Sequence, residues 1–154
     1  MRRMLFGLSL LLLLPGLAAA EERVQATTKE AEQMVRQAVA FLKKEGKAKA
    51  LAAFNDPKGA FTYGDLYLFA LDLDGKVVAH GRNQKFVGIN HTNTKDAAGN
   101  YHFSRQTLEI GKGAGKGWME YKIENPVSKK VEDKVAYVER VDDVIISAGV
   151  FRPK

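Results

Sequence analysis

The chain has 154 residues, no Cys and a formal net charge of +6. The absence of Cys excludes disulfides, covalent haem attachment and cysteine catalysis. The Lys and Arg residues are interspersed with Asp and Glu, which is typical of a solvated surface and argues against a nucleic-acid partner.

The first twenty residues, "MRRMLFGLSLLLLLPGLAAA", have the order of a secretory signal. Two Arg residues precede an apolar run from Leu5 to Leu14, and Ala18-x-Ala20 is a small-residue cleavage pattern. This order predicts a Sec-type signal peptide over residues 1–20, so that the mature chain is periplasmic or secreted. The run is shorter than the ~20 residues that cross a bilayer, and we expect no stable membrane span after cleavage. Loss of the two Arg residues lowers the net charge from +6 to +4.

Residues 21–154 have the size of one domain with one core, and their first segment is predicted to be helical. Thr27 and Glu30 stand at capping-box spacing, apolar residues follow at helical spacing, and Gly46 is a stop signal. This pattern predicts an amphipathic helix of about five turns. A second, shorter helix is expected from Lys47 to Phe54, ended by "NDPKG".

The second half of the chain is predicted to be mostly strands. The segment "LYLFALDLDGKVVAH" alternates around Asp74-Gly75, which predicts a hairpin, and the polar segment from Gly81 to Tyr101 is a long connection. A short helix over Phe103 to Ile110 is then followed by three strands, expected at Trp118 to Glu124, Val131 to Arg140 and Val144 to Phe151. The grouping predicts an α+β fold with an antiparallel sheet of about five strands.

Common catalytic and metal-binding patterns are missing. None of the three Ser residues of the mature chain has the context of a nucleophile. The three His residues, His80, His91 and His102, lack the spacing of metal ligands. We therefore predict no catalytic residue, no metal site and no cofactor.

Aromatic residues near the C-terminus offer a candidate ligand site. Trp118 and Tyr121 are three residues apart, as are Lys134 and Tyr137, and ideal strands would place each pair on opposite faces. The rings are either core residues with Lys134 at the rim, or the lining of a pocket for a small carboxylate. A twist, bulge or strand end would be needed to bring both members of a pair to one cavity. His80 is either bonded to backbone or a donor at the mouth of a cleft.

Several segments together resemble the single Cache domains of type 2, which are extracytoplasmic sensor modules of bacteria. The resemblance covers nearly the whole mature chain to Phe151. The segments are "AFNDPKGAF", "GDLYLFALDLDGKVVAH", "VGIN", an Asp-x-x-Gly turn and "GWMEYKIENPVSKKVEDKVAYVERVDDVIISAGVF". The most specific elements of the resemblance are Asp74-Gly75 with His80, Gly117-Trp118-x-x-Tyr121, Asn125-Pro126 and Lys134-x-x-Tyr137.

The resemblance implies a PAS-like sheet with the long N-terminal helix packed along it, and a pocket between the sheet and the central loop and helix. Family members typically bind short organic acids such as acetate, propionate or pyruvate and do not catalyse. Carried over to this chain, Lys134 would pair with the carboxylate, Tyr121 and Tyr137 would donate hydrogen bonds, and Trp118 with His80 would shape the wall.

The sequence defines a partner protein less clearly than it defines a ligand. The chain ends three residues after Phe151, so we expect any signal to pass through a membrane receptor or another periplasmic protein. The alternative is a protein-interaction subunit with a vestigial pocket that uses its N-terminal helix to dimerise or dock. An exported enzyme is a third hypothesis, which would require a base beside a nucleophile in the pocket.

Overall fold

The computed structural model describes residues 25–96, 99–125 and 128–152, so the predicted signal peptide and its cleavage point lie outside the described residues. The helices are α1 (Thr28–Glu45), α2 (Lys47–Phe54) and α3 (Phe103–Lys112). The strands are β1 (Thr62–Tyr63), β2 (Leu66–Asp72), β3 (Val77–His80), β4 (Lys116–Glu124), β5 (Val131–Val141) and β6 (Val144–Phe151). A short 3-10 turn covers Gln84–Phe86 within the long connection.

Helix α1 begins at the predicted capping box. The Thr27 Oγ1 accepts a hydrogen bond from the Glu30 N–H at 3.2 Å, and the Thr27 N–H donates to the Glu30 carboxylate at 2.7 Å. Gly46 ends the helix with φ at +84°, a conformation in which a side chain would be strained. The predicted long helix is therefore confirmed, and it packs mainly on β5 and β6. Among the described helices, none is long and apolar enough to cross a membrane.

The strands form one antiparallel sheet in the order β1-β2-β6-β5-β4, with β3 paired to β2. The predicted hairpin and three later strands are confirmed. The strand that the sequence did not predict is β1, which has only two residues and no alternating pattern long enough to recognise. Strands β4 and β5 pair without interruption from Lys116 opposite Glu139 to Glu124 opposite Val131.

Each face of the sheet carries its own hydrophobic core, because alternate side chains point to opposite faces. On one face α1, α2 and the sheet bury a large cluster that includes Val35, Phe54, Leu68, Tyr137 and Ile146. On the other face α3 covers a smaller cluster that includes Phe69, Leu71, Met119, Val138 and Ile145. The second cluster leaves room at one end of the sheet, where the candidate site lies.

Helix α3 lies very close to the sheet because it presents a glycine at the contact. A Cβ built at Gly111 would lie 2.5 Å from both Cδ1 and Cγ1 of Ile145, a buried residue of β6. The absent side chain therefore sets the distance between α3 and the sheet, and with it the position of Phe103 at the start of the helix.

Gly111→Ala should lower the free energy of unfolding by about 1–3 kcal/mol. The added methyl group would clash with Ile145, and the cost of this overpacking exceeds the gain in helix propensity from Gly to Ala. Urea denaturation measures the change. Gly117→Ala is the control, since its Cβ would meet Ile110 at an ordinary 3.4 Å. Equal stability of the two variants would show that the Gly111 contact does not position α3.

Candidate functional site

Lys134 lies near the start of β5, on the face of the sheet that α3 covers. Its neighbours across the strands are Tyr121 on β4 and Phe151 on β6. The residue is 3% exposed. Its Nζ lies 3.4 Å from the Tyr67 hydroxyl oxygen, which is longer than a typical N–H···O hydrogen bond. The same atom lies 4.5 Å from the centroid of the Tyr67 ring and 4.8 Å from that of Phe151.

The charge of Lys134 has no acidic partner within the described part of the chain. The ion pairs on the sheet, such as Lys122 with Asp133 and Arg152 with Glu120, join solvent-exposed side chains. Among the described residues, two ring faces and one phenol are therefore the groups that compensate the buried ammonium. Since buried charges in proteins are normally paired, this ammonium is well suited to hold an anion.

A small cavity beside Lys134 is lined by polar and aromatic side chains from four strands and α3. They are Tyr67, Phe69, His80, Phe103, Tyr121 and Ser147, together with the β6 residues Ala148 and Gly149. The cavity has a volume of about 10 Å³, roughly the room that one water needs. A carboxylate that reaches Lys134 must therefore displace one of the lining rings.

His80 is a neutral imidazole held by backbone. Its Nδ1 accepts hydrogen bonds from the N–H groups of Asn83 at 3.0 Å and Arg82 at 3.3 Å, which places the ring proton on Nε2. Burial, and then the charge of Lys134, lower the pKa of His80 to about 4. The ring is bonded to backbone, as one of the two alternatives from the sequence has it. It also lines the cavity beside Lys134, where its role as a donor to a ligand stays a prediction.

Tyr121 presents a protonated phenol to the same cavity. Burial raises the pKa of Tyr121 well above its usual range, so its hydroxyl remains a hydrogen-bond donor at every physiological pH. The ring stacks on Phe103 with centroids 4.5 Å apart and an interplanar angle of 18°. Of the predicted site residues, Lys134, Tyr121 and His80 are thus brought together.

Trp118 and Tyr137 lie on the opposite face of the sheet. Their rings contact each other at 5.1 Å, Arg36 of α1 lies over the Tyr137 ring, and the Tyr137 hydroxyl donates to Glu139 at 3.2 Å. The pairing of β4 with β5 contains no bulge that could turn them to the other side. The structure therefore does not place these two predicted site residues beside Lys134.

Tyr67 and Phe103 are among the cavity residues that the sequence did not predict as site residues. The Tyr67 ring stacks on His80 with centroids 5.0 Å apart, and its hydroxyl oxygen lies 3.4 Å from the Lys134 Nζ. The alternation of β2 already put Tyr67 on one face with Phe69, so its phenol could have been included. Phe103 begins a helix after a long loop, and no sequence pattern indicated where that helix would pack.

A larger cleft adjoins the small cavity, and four residues line both spaces. The cleft has a volume of about 470 Å³, and Tyr67, Phe69, His80 and Phe103 line both spaces. It is also lined by Pro57, Arg82, Asn83, Phe86, His91, His102, Ile123 and Glu124. Although all three His residues border it, the described side chains contain no group of three that could hold a metal ion. The cleft has the volume of a pocket for an organic molecule.

Acidification should destabilise the protein through His80. Its pKa is about 4 in the folded chain and about 6.5 when unfolded, so the unfolded state binds more protons between these values and stability falls as the pH falls. The expected loss from pH 7 to pH 5 is on the order of 1–2 kcal/mol from His80. His102 acts in the same direction, because burial and His91 lower its pKa to about 4. Urea denaturation at the two pH values measures the loss.

His80→Asn is the matched control, since its side-chain oxygen can accept the same backbone N–H bonds without titrating. The variant should lose less stability than the wild type over this pH range. An unchanged pH dependence would assign the effect to other groups.

Comparison with known proteins places this fold among bacterial sensor domains. The periplasmic sensor domain of a chemotaxis protein has a TM-score of 0.62 and 21% identity, covering 82% of this chain and 90% of that chain. A methyl-accepting chemotaxis protein from Vibrio parahaemolyticus RIMD 2210633 has the same score and identity, covering 80% and 86%. A Cache chemosensory domain solved to explain carboxylic acid recognition has a TM-score of 0.60 and 19% identity, covering 82% and 88%.

At these identities the structural likeness shows a shared fold. No curated protein sequence matches the chain. The model of the family Single Cache domain 2 matches residues 14–152. The match spans nearly the whole sequence, and the chain belongs to the Single Cache domain 2 family.

Proposed function

We propose that this chain is a periplasmic, non-catalytic binding module for a small organic acid of the acetate, propionate and pyruvate class. The observation that carries the proposal is Lys134, a buried ammonium without a carboxylate partner in the described residues. Membership of the Single Cache domain 2 family supports it. The fold shared with periplasmic chemotaxis sensor domains, one of them studied for carboxylic acid recognition, supports it further.

In the proposed complex the carboxylate pairs with Lys134 and accepts hydrogen bonds from neutral donors. Tyr67 and Tyr121 supply phenol O–H groups, and His80 supplies its Nε2–H. Charge-assisted hydrogen bonds of this kind are about twice as strong as neutral ones. Three neutral donors around one cation suit a single negative charge.

The affinity of such a complex has an upper bound. A ligand of about six non-hydrogen atoms reaches at best about −9 kcal/mol at roughly 1.5 kcal/mol per atom, which corresponds to a dissociation constant of about 0.3 μM or weaker. Opening the cavity of about 10 Å³ beside Lys134 lowers the affinity further. This range suits the sensing of abundant metabolites, with the signal passing through a receptor or another periplasmic protein.

A protein-interaction subunit is the second candidate. One observation favours it: Trp118 on the edge strand β4 is 43% exposed and contacts Tyr137, which gives the face away from the cavity an aromatic surface. Under this hypothesis the cavity beside Lys134 is vestigial. The two candidates differ in whether Lys134 is needed for any response.

Lys134→Met should abolish stabilisation by small carboxylic acids while the ligand-free protein stays as stable as wild type or becomes more stable. The substitution keeps an apolar side chain of similar length and removes an unpaired buried charge. In the wild type, an acid at ten times its dissociation constant adds about 1.4 kcal/mol, which raises the melting temperature by about 4–7 °C. A thermal-shift titration with acetate, propionate and pyruvate measures the response.

Lys116→Met, an exposed lysine on β4, is the control and should respond to the acids as the wild type does. A response that survives in Lys134→Met would refute the proposed site. A response absent from every protein, wild type included, would favour the interaction subunit.

Tyr121→Phe and Tyr137→Phe form a matched pair that tests which face binds. Removing the Tyr121 hydroxyl should weaken binding about tenfold or more, because a hydrogen bond to a charged group contributes about 1.5–3 kcal/mol. Removing the Tyr137 hydroxyl should leave the dissociation constant unchanged, since that group donates to Glu139 on the other face. Calorimetric titration with the best acid of the panel measures both constants. A larger loss of affinity in Tyr137→Phe than in Tyr121→Phe would place the ligand on the α1 face.

A further inference from the structure

The cleft beside the candidate site is lined by six rings that form a closed circuit of contacts. His80 contacts Phe86 at 5.3 Å and Phe86 contacts His91 at 5.6 Å. His91 contacts His102 at 5.0 Å, and His102 contacts Phe103 at 4.2 Å. Phe69 closes the circuit, with its ring 5.0 Å from Phe103 and 6.0 Å from His80. We name these six residues the ring belt, and all of them line the cleft of about 470 Å³.

This cleft is larger than a two- or three-carbon acid requires. Its volume of about 470 Å³ lies within the range of roughly 300–1,000 Å³ that pockets for drug-sized ligands have. A carboxylate at Lys134 together with a short alkyl chain would leave most of that volume to solvent. Pockets of this size usually hold larger organic molecules with mostly apolar surfaces.

The charges around the cleft favour an anion with an uncharged body. Lys134 lies in the adjoining cavity, and Arg82 and Glu124 both line the cleft. Burial also lowers the pKa of His80 and of His102 to about 4, so both rings are neutral near pH 7. Neutral imidazoles and phenyl rings form an apolar wall next to a buried cation, which disfavours an amine.

The ring belt also reaches the carboxylate site directly. Tyr67 stacks on His80, Tyr121 stacks on Phe103, and both of these outer rings line the cavity of Lys134. A ligand that displaces one of these outer rings can therefore place its carboxylate beside Lys134 while its body stays within the belt. Flat rings gain from edge and face contacts with aromatic neighbours beyond the gain from burial alone.

We propose that the cleft accommodates the aromatic body of an arylalkanoic acid whose carboxylate reaches Lys134. This inference rests on the proposed function and names the ligand class of the same site. The short acids are then minimal ligands that occupy the carboxylate end alone. The ring belt, rather than Lys134, provides the preference among acids.

Calorimetric titration of the exported protein with four probes tests the inference: propionate, 3-phenylpropionate, 3-cyclohexylpropionate and 3-phenylpropylamine. The phenyl acid should bind about tenfold or more tightly than propionate and several-fold more tightly than the cyclohexyl acid, which has the same number of non-hydrogen atoms. The amine should not bind, because its positive charge is opposite to that of the acids and is repelled by Lys134.

Two neighbouring variants locate the effect. Phe86→Leu removes one ring of the belt at a position that is 37% exposed, so the fold should tolerate it, and the preference for the phenyl acid should fall severalfold. Val87→Ala, at a position that is 39% exposed and outside the cleft lining, should keep the full preference.

The outcomes separate this inference from the proposed function. Equal affinity for propionate and 3-phenylpropionate, both lost in Lys134→Met, would overturn the aromatic ligand class and support the carboxylate site. Binding of the phenyl acid that persists in Lys134→Met would overturn the carboxylate site. Tighter binding of the amine, or no binding of any acid, would overturn both.

Discussion

The candidate site depends on how one buried ammonium is accommodated at the sheet. Removing the Lys134 charge from water costs several kcal/mol, and the described residues offset that cost with the ring faces of Tyr67 and Phe151 and a long contact to one phenol. The remaining stability must come from elsewhere in the fold. It comes from two hydrophobic cores, one on each face of the sheet, which hold β5 in place whatever occupies the cavity.

The two faces of the sheet therefore have different roles. On one face α1 and α2 bury the larger core, and Tyr137 belongs to it. On the other face α3 approaches the sheet closely through Gly111 and carries Phe103 to the edge of the cavity. Because Phe103 lines both the small cavity and the cleft, a ligand that reaches Lys134 would act on the start of α3.

Aromatic and imidazole rings serve the site better than charged groups would. Additional cations beside Lys134 would raise the cost of burial, and a carboxylate would neutralise the ammonium that the site offers. His80 avoids both effects, since its bonds to the Arg82 and Asn83 backbone and its burial keep it neutral and leave Nε2–H as a donor. The long connection after β3 is thus positioned by the ring that also borders the ligand space.

Local sequence patterns determined most of the architecture. The capping box at Thr27, the alternation around Asp74-Gly75 and the strand patterns after Trp118 each act over a few neighbouring residues, so their elements could be predicted with small errors at the ends. The two-residue strand β1 could not be predicted, because its pairing with β2 depends on the tertiary fold. Lys134, Tyr121 and His80 could be named as site residues because each belongs to a segment that resembles the single Cache domains.

Only the tertiary structure decided which of these residues share a cavity. Trp118 and Tyr137 carry the same resemblance, but three-residue spacing in uninterrupted strands turns them to the α1 face. Tyr67, Phe86 and Phe103 lie far from Lys134 in sequence and join its surroundings through strand pairing and helix packing. The sequence thus determined the elements and the chemical groups available, since these follow from local periodicity. The composition of the site depends on long-range packing, which local patterns do not encode.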